Sequence, residues 1–213
     1  MSLLSGSNCS CPLSEELMDI PLELCNEDFG QMQRAGVIRR VSDKVRNHIP
    51  YADKEKLTAW AELTEGLKGK KMVLTPFFQS PETDPGAPIT EGGGNDSLNG
   101  IEEIVGREPT SFTGIFKKTS QKSIKAMKSL ECEKSLAIFP IFGDGTIGAL
   151  VDNIEEPTKV YPIPIESFFV SDKGFGGFDA GDFNNVQWSF PPNWSDNLIK
   201  IKPEFNPLED LDV

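Results

Sequence analysis

Histidine is nearly absent from this chain: His48 is the only one in 213 residues. Any Ser-His-Asp or Cys-His mechanism would have to run through it. Its setting, RNHIPYADK, is a polar lead-in to a helix and favours a surface histidine. Long apolar runs are missing as well. No stretch approaches the roughly 18 consecutive apolar residues of a membrane span, and the start, MSLLSGSNCSCPLSEELMDI, has neither a basic region nor a continuous apolar segment. A soluble, unprocessed protein with no membrane partner is expected. Basic charge is also short, with 21 Lys and Arg against 33 Asp and Glu and a formal net charge of -12. Such a chain repels a phosphate backbone, which disfavours a nucleic-acid binder. Cysteine is sparse: Cys9, Cys11, Cys25 and Cys132. A chain of this length does not need disulfides, so reduced thiols in a cytoplasmic product are expected. A disulfide, or zinc held by Cys9, Cys11 and Cys25, is the alternative, although Cys-Ser-Cys lacks the usual CxxC spacing.

Turn formers are plentiful, with 19 Gly and 16 Pro, and the pattern favours β-structure in one domain with extended appendages. Residues 1–30 show no sustained period and read as an N-terminal arm, leaving 31–213 as a single β-rich domain. QMQRAGVIRRV, 31–41, is the first plausible strand. DKEKLTAWAELTEGLKG gives a short helix over about 53–66, with Asp53 as a possible cap and Leu57, Trp60, Ala61 and Thr64 at helical spacing. KKMVLTPFF, 70–78, is a mostly apolar strand.

Residues 79–99 then form a loop of about twenty residues, longer than structureless loops usually are in a compact domain. GIEEIVGREPTSFTGIFKKTS reads as two strands joined near Arg107 to Thr110 in a hairpin. SQKSIKAMKSLECEK is the firmest helix, about 120–134, capped by Ser120 or Ser123, with Ile124, Met127 and Leu130 on one face and lysines opposite. LAIFPIFGDGTIGALVDN is a hairpin around Gly143-Asp144-Gly145. In TKVYPIPIESFFV, Pro162 and Pro164 remove ladder donors and point to an edge or covering strand. SDKGFGGFDAGDFNN is a turn-rich loop, VQWSFPP a period-two strand, and NLIKIKP a last strand before an acidic tail. Seven to nine short strands, one firm helix and one weaker one describe a β-sandwich or barrel with a flanking helix.

GGGNDSLNG, 92–100, has no lysine after it and leads into a strand, so it fails as a phosphate loop; GFGGF is a turn rather than GxGxxG. Adjacent carboxylates such as Glu102-Glu103 and Glu155-Glu156 point to opposite faces of a strand, which does not suit a glycosidase pair. Asp144, Asp152 and Asp172 lack calcium-loop spacing. Trp188, Phe190 and Trp194 could stack on sugar in a carbohydrate-binding module, but period-two placement marks a buried face. No enzyme, cofactor or small-molecule substrate is therefore expected.

The arm, the long loop and the acidic tail cannot repay their own ordering entropy, so neighbouring copies are expected to order them. The loop residues singled out for this role are Pro81, Pro85, Gly86, Glu91, Gly92, Gly93, Gly94 and Asn95.

The order of elements resembles phage tail tube proteins. FGQMQR at 29–34, TPFFQSPETDPGAPITEGGGNDSLNGIEEIVG at 75–106, YPIPIESFFVSDKGFGGFD at 161–179 and PPNWSDNL at 191–198 are similar to tail-associated virion proteins of phages of Bacteroidetes hosts. The likeness covers most of residues 29–211. It implies a β-sandwich or barrel with one helix, an arm and a long loop. It also implies a virion protein built of stacked, hexameric rings around a DNA channel, assembled in the host cytoplasm, with other tail or connector proteins as partners and no catalysis or cofactor. A head-decoration, tail-completion or ring protein is the other virion role compatible with the pattern. Six copies would carry a formal charge of about -72, and an acidic lumen lets DNA slide without sticking. Deleting 81–94 is expected to leave a folded subunit that no longer assembles.

Overall fold

The computed structural model describes residues 28–212, apart from 43, 67, 97–99 and 178–180. The N-terminal arm and Cys9, Cys11 and Cys25 lie outside the described residues. In chain order the strands are β1 (Met32–Arg39), β2 (Val41–Ser42), β3 (Val45–Arg46), β4 (Ile49–Pro50), β5 (Val73–Leu74), β6 (Gln79–Asp84), β7 (Pro88–Gly92) and β8 (Glu102–Arg107). They continue with β9 (Thr110–Lys117), β10 (Leu136–Phe142), β11 (Ile147–Val151), β12 (Lys159–Tyr161), β13 (Ile163–Pro164), β14 (Glu166–Val170), β15 (Phe183–Phe190) and β16 (Leu198–Ile201). The helices are α1 (Leu57–Thr64) and α2 (Gln121–Lys128). The fold is mostly β, as expected. The strand count exceeds seven to nine because β2, β3, β4, β6 and β7 form where no strand was expected and the strand expected over 158–170 divides into β12, β13 and β14.

The organising element is β10, LAIFPIF, whose seven residues are all buried. An apolar run without alternation is what a strand covered on both faces requires. Leu136 and Ile138 join one core with Ala35 and Val37 of β1, while Ala137, Phe139 and Ile141 join a second with Ile38. β1 lies antiparallel to β10 along its whole length. These strands belong to an eight-stranded sheet, in the order β4-β12-β11-β10-β1-β5 with β13 and β16 attached, that curls into a half-barrel.

The curl starts at a fork. The expected β10–β11 hairpin forms, with Gly145 at φ +78° in its turn, but the two strands pair only at Ile141 and Ile147. Ala35 directs both backbone groups to Thr75, each at 2.9 Å, so its cross-strand partner Pro140 faces β1 without needing an N–H there. The missing donor falls on the other edge, where β11 peels away. Gly148 permits this: a Cβ there would stand 2.8 Å from the Pro140 ring. Residues 159–164 fill the wedge, β12 pairing with β11 and β13 with β10, and Pro162 sits at the changeover. Of the expected edge or covering strand, β13 with Pro164 pairs on one side only, with β10, whereas β12 is held between β4 and β11. The prolines mark a strand changing partners in the interior, and Val160 and Ile163 are fully buried.

The first core is closed by a four-stranded sheet, β14-β15-β9-β6, called the inner sheet below. β15 alternates as expected, with Val186, Trp188 and Phe190 inward. Trp188 stacks on its cross-strand partner Phe112 at 3.9 Å between ring centroids, the kind of pair that adds about 0.5–1.5 kcal/mol beyond burial. Helix α2 closes this core with Ile124 and Met127, and its Ser120 side chain accepts from the Ser123 N–H as a cap. The remainder of the expected helix, Ser129–Cys132, tightens into a 3-10 turn.

The second core is covered by α1 and the C-terminal residues. Trp60 is fully buried, edge-on to Phe139, and its indole N–H reaches the Lys54 carbonyl at 2.8 Å. Helix α1 is shorter than expected, and Asp53 does not cap it. The cap is Lys56, without a side-chain bond, and Asp53 instead accepts from the Lys56 ammonium. The strand expected over 70–78 is reduced to Val73–Leu74, since Pro76 interrupts it and Thr75 carries the link to β1.

The acidic tail is also not the extension that was expected. Leu211 is buried in the second core, and Asp212 takes two hydrogen bonds, at 2.7 and 2.8 Å, from Arg34. Arg34 is 6% exposed and also donates to the Thr75 and Leu208 carbonyls. It thereby ties β1, the segment after β5 and the C-terminal turn together.

These hydrogen bonds from Arg34 hold the Asp212 carboxyl below its ordinary range against partial burial. Burial pushes the Asp144 carboxyl up, but hydrogen bonds from Lys200 and Thr146 outweigh it and bring it down to about 2. Both groups are depressed in the folded state. Their contribution is therefore complete above the ordinary value of 3.8 and is lost as pH falls below it, for Asp144 toward about 2. Urea unfolding midpoints are expected to drop progressively over that interval, with a shallower drop in Asp144→Asn; a midpoint independent of pH there would contradict the assignment.

Candidate assembly interface

The segment expected to be a long loop is half of a single extended hairpin. β6 pairs with β9 (Thr83 with Phe112, Asp84 with Ser111) and β7 pairs with β8 (Pro88 with Arg107, Ile89 with Gly106). The Glu108 N–H donates to the Ala87 carbonyl between them. One register thus runs from the inner sheet out into solvent. The expected hairpin between 101–107 and 110–117 is corrected: β8 and β9 follow one another along the same arm. Glu108-Pro109 provides a bend, but none of the Gly or Asn chemistry of a reversing turn.

The singled-out residues acquire local roles in this hairpin. Pro81 sits in β6, where the pairing slips between Gln79 and Glu82 and Ser80 takes φ +48°. A residue without an N–H is tolerated at such a bulge on an edge strand. Pro85 is exposed between β6 and β7. Gly86 is where the two arms touch: a Cβ there would lie 1.9 Å from the Glu108 carbonyl oxygen, so no side chain fits. Glu91 lies in β7, directly opposite Glu103. Gly92, Gly93 and Gly94 form the tip at φ +90°, +94° and +59°, conformations that glycine adopts without strain. Asn95 belongs to the short 3-10 turn Gly94–Asp96.

The outer half of the hairpin is a two-stranded ribbon, 88–107. Every described residue of β7 and β8 is exposed except Gly106, which is half-buried. Thr90, Glu102 and Ile104 share one face, and Ile89, Glu91 and Glu103 the other. Each face therefore carries an exposed aliphatic beside a carboxylate. Ile89, Ile101, Ile104 and Val105 are 46–61% exposed. The first arm, β6 and β7, was missed in the sequence, and with it the pairing of the second, which was read as two strands. The usable signal was the mirrored pair PITE and IEEI flanking a Gly/Asn cluster, the pattern of a hairpin rather than of a loop.

The other candidates separate from this ribbon. Trp188 is a core residue at 2% exposure. Trp194 stacks on Phe190 at 4.5 Å and bonds Thr110 through its indole N–H, at the rim of an apolar groove with Phe29, Pro81 and Phe142. His48 is half-buried rather than fully at the surface, tilted against Tyr161 with Nδ1 3.0 Å from the Arg46 carbonyl. It lines a cleft with both signs of charge, including Arg46, Lys56, Asp53 and Glu62.

Asp144 and Asp152 clamp turns: Asp152 accepts from Thr158 and Lys159, which depresses its pKa. Asp172 pairs with Lys128. Glu102 and Glu103 lie on the ribbon, Glu155 and Glu156 in an exposed bend, and Cys132 is an exposed free thiol. Phe175 of the GFGGF turn is 82% exposed. Among the described residues no three His, Cys, Asp or Glu converge to hold a metal, and no helix is long and apolar enough to cross a membrane. No protein-family model matches the chain, and no curated protein matches it.

The hairpin geometry changes the deletion that isolates this element. Removing 81–94 would strip most of β6 from the inner sheet. Replacing 88–107 by Asn-Gly, between the bonded residues Ala87 and Glu108, removes only the ribbon. That variant is expected to unfold in urea within about 1 kcal/mol of the parent, since exposed strands contribute little burial; a much larger loss would make the ribbon part of the fold.

Proposed function

We propose that the chain is a structural virion subunit, of the phage tail tube kind, that assembles with copies of itself into stacked rings around a channel for DNA. The observation that carries this reading is the ribbon. A two-stranded hairpin in water is marginal by itself. This one projects with aliphatic side chains on both faces and open backbone edges, the form of a strand pair waiting to be covered by another chain. The subunit also has a sheet system that could join its neighbours' sheets around a lumen, and its net charge of -12 suits a wall past which DNA slides. The sequence resemblance points the same way. Hexameric closure follows from that resemblance; other virion rings built on different symmetry share the same chemistry. The carbohydrate-binding alternative, built on Trp188, Trp194 and the GFGGF loop, is weaker, since Trp188 is core and Trp194 is stacked and hydrogen-bonded, which leaves it the exposed Phe175 of that loop.

Negative-stain images of the purified full-length protein are expected to show rings or tubes, and the variant with Asn-Gly in place of 88–107 to remain as single subunits. Monomers alone in the full-length sample, at all concentrations tried, would overturn the assembly reading.

A further inference from the structure

Charge is segregated along this subunit. Between residues 82 and 108 the chain carries seven carboxylates and one arginine. Between 117 and 134 it carries six lysines and two glutamates, although acids dominate the whole chain. Glu91 and Glu103 form a cross-strand pair, and like charges directly opposite destabilise a ribbon. Neither carboxylate has an ion-pair partner among the described residues. At the other pole, Lys118, Lys122 and Lys125 are exposed and likewise unpaired among the described residues, whereas Lys128 is engaged by Asp172.

β9 fixes the distance between the two. It enters from the ribbon at Thr110 and leaves toward α2 at Lys117, and its eight residues span roughly 25 Å. The ribbon continues from β6 at one edge of the inner sheet, while α2 stands beside β14 at the other, with the Glu131 carboxylate accepting from the Val170 N–H. A subunit cannot fold its own ribbon onto its own α2. Phe169 on β14 is also exposed, on the face of that strand opposite the core residue Phe168.

We infer that the ribbon of one copy docks on the lysine face of α2 and the adjoining β14 edge of the next copy, head to tail. This rests on the assembly reading above and names the surface that meets the ribbon. Two different patches of one molecule are joined, so the contact is heterologous; it propagates until the rotation closes a ring or continues as a filament. Neutralising the Glu91–Glu103 pair removes a repulsion that the free ribbon bears, and so ties the ribbon's own order to docking. Added salt weakens it, because these charges lie at the surface.

The test exchanges signs. One variant carries Glu91→Lys, Glu102→Lys and Glu103→Lys; a second carries Lys118→Glu, Lys122→Glu and Lys125→Glu. All six positions are exposed, so both variants are expected to melt like the parent. Each by itself sets like charges against each other, and its association is expected to weaken by roughly tenfold or more. Mixed one to one, the two restore attraction at every contact and are expected to co-assemble in alternation. If the parent assembles and the separate variants assemble equally well, the docking surface is wrong while the assembly reading stands. Failure of the mixture to recover when each variant is impaired also overturns the pairing. A parent that never associates overturns both.

Discussion

A strand with no solvent face dictates the rest of this molecule. β10 cannot be stabilised by one layer, because Leu136 and Ile138 require cover on one side and Ala137, Phe139 and Ile141 on the other. Fully burying a large aliphatic or aromatic side chain is worth roughly 1.5–3 kcal/mol, and a domain's whole net stability is about 5–15 kcal/mol. Losing either cover therefore forfeits a share comparable with the total. The inner sheet with α2, and α1 with the C-terminal turn, are thus obligatory halves of one cooperative unit. The tail fastened by Arg34 to Asp212 belongs to the second half.

The same strand explains why prolines, ordinarily signs of an edge, occur in the middle of the curled sheet. Pro140 has no donor to offer at the point where β11 departs, and Gly148 leaves room for its ring. The incoming strand turns from β11 to β10 across Pro162. Each irregular residue stands where a regular ladder would have to end, so the fork replaces an unsatisfied donor with a change of partner.

Local chemistry was legible in the sequence wherever it was decided locally. The alternation of β15, the Gly143-Asp144-Gly145 turn and the Ser120 cap each depend on a few neighbouring residues, and each formed as expected. What was hidden depends on partners far away in the chain. Nothing near Pro162 reveals that two other strands have separated to admit it. Nothing near Asp212 reveals Arg34, 178 positions earlier. The hairpin from 79 to 117 was obscured for another reason. Its outer strands alternate without a buried face, so hydrophobic periodicity, which reports burial, did not mark β6 and β7 as strands or assign β8 its partner.

That lack of a buried face is where fold and function meet. Elsewhere among the described residues β1 and β10 carry apolar side chains on both sides, but those are covered by the two cores. Only the ribbon sets aliphatics and carboxylates on both sides at once, in the part of the chain that contributes least to either core. Its order comes from being continuous with β6 and β9 and from a tip whose glycines accept positive φ. The inner sheet transmits that direction rigidly. β9 is held by β6 on one side and β15 on the other, so the acidic projection and the lysine face keep a fixed separation and a fixed relative orientation. A flexible loop could reach a partner at many angles. A strand pair rooted in a packed sheet reaches it at one, and a single repeated angle is what turns pairwise contact into a closed or regularly propagating assembly.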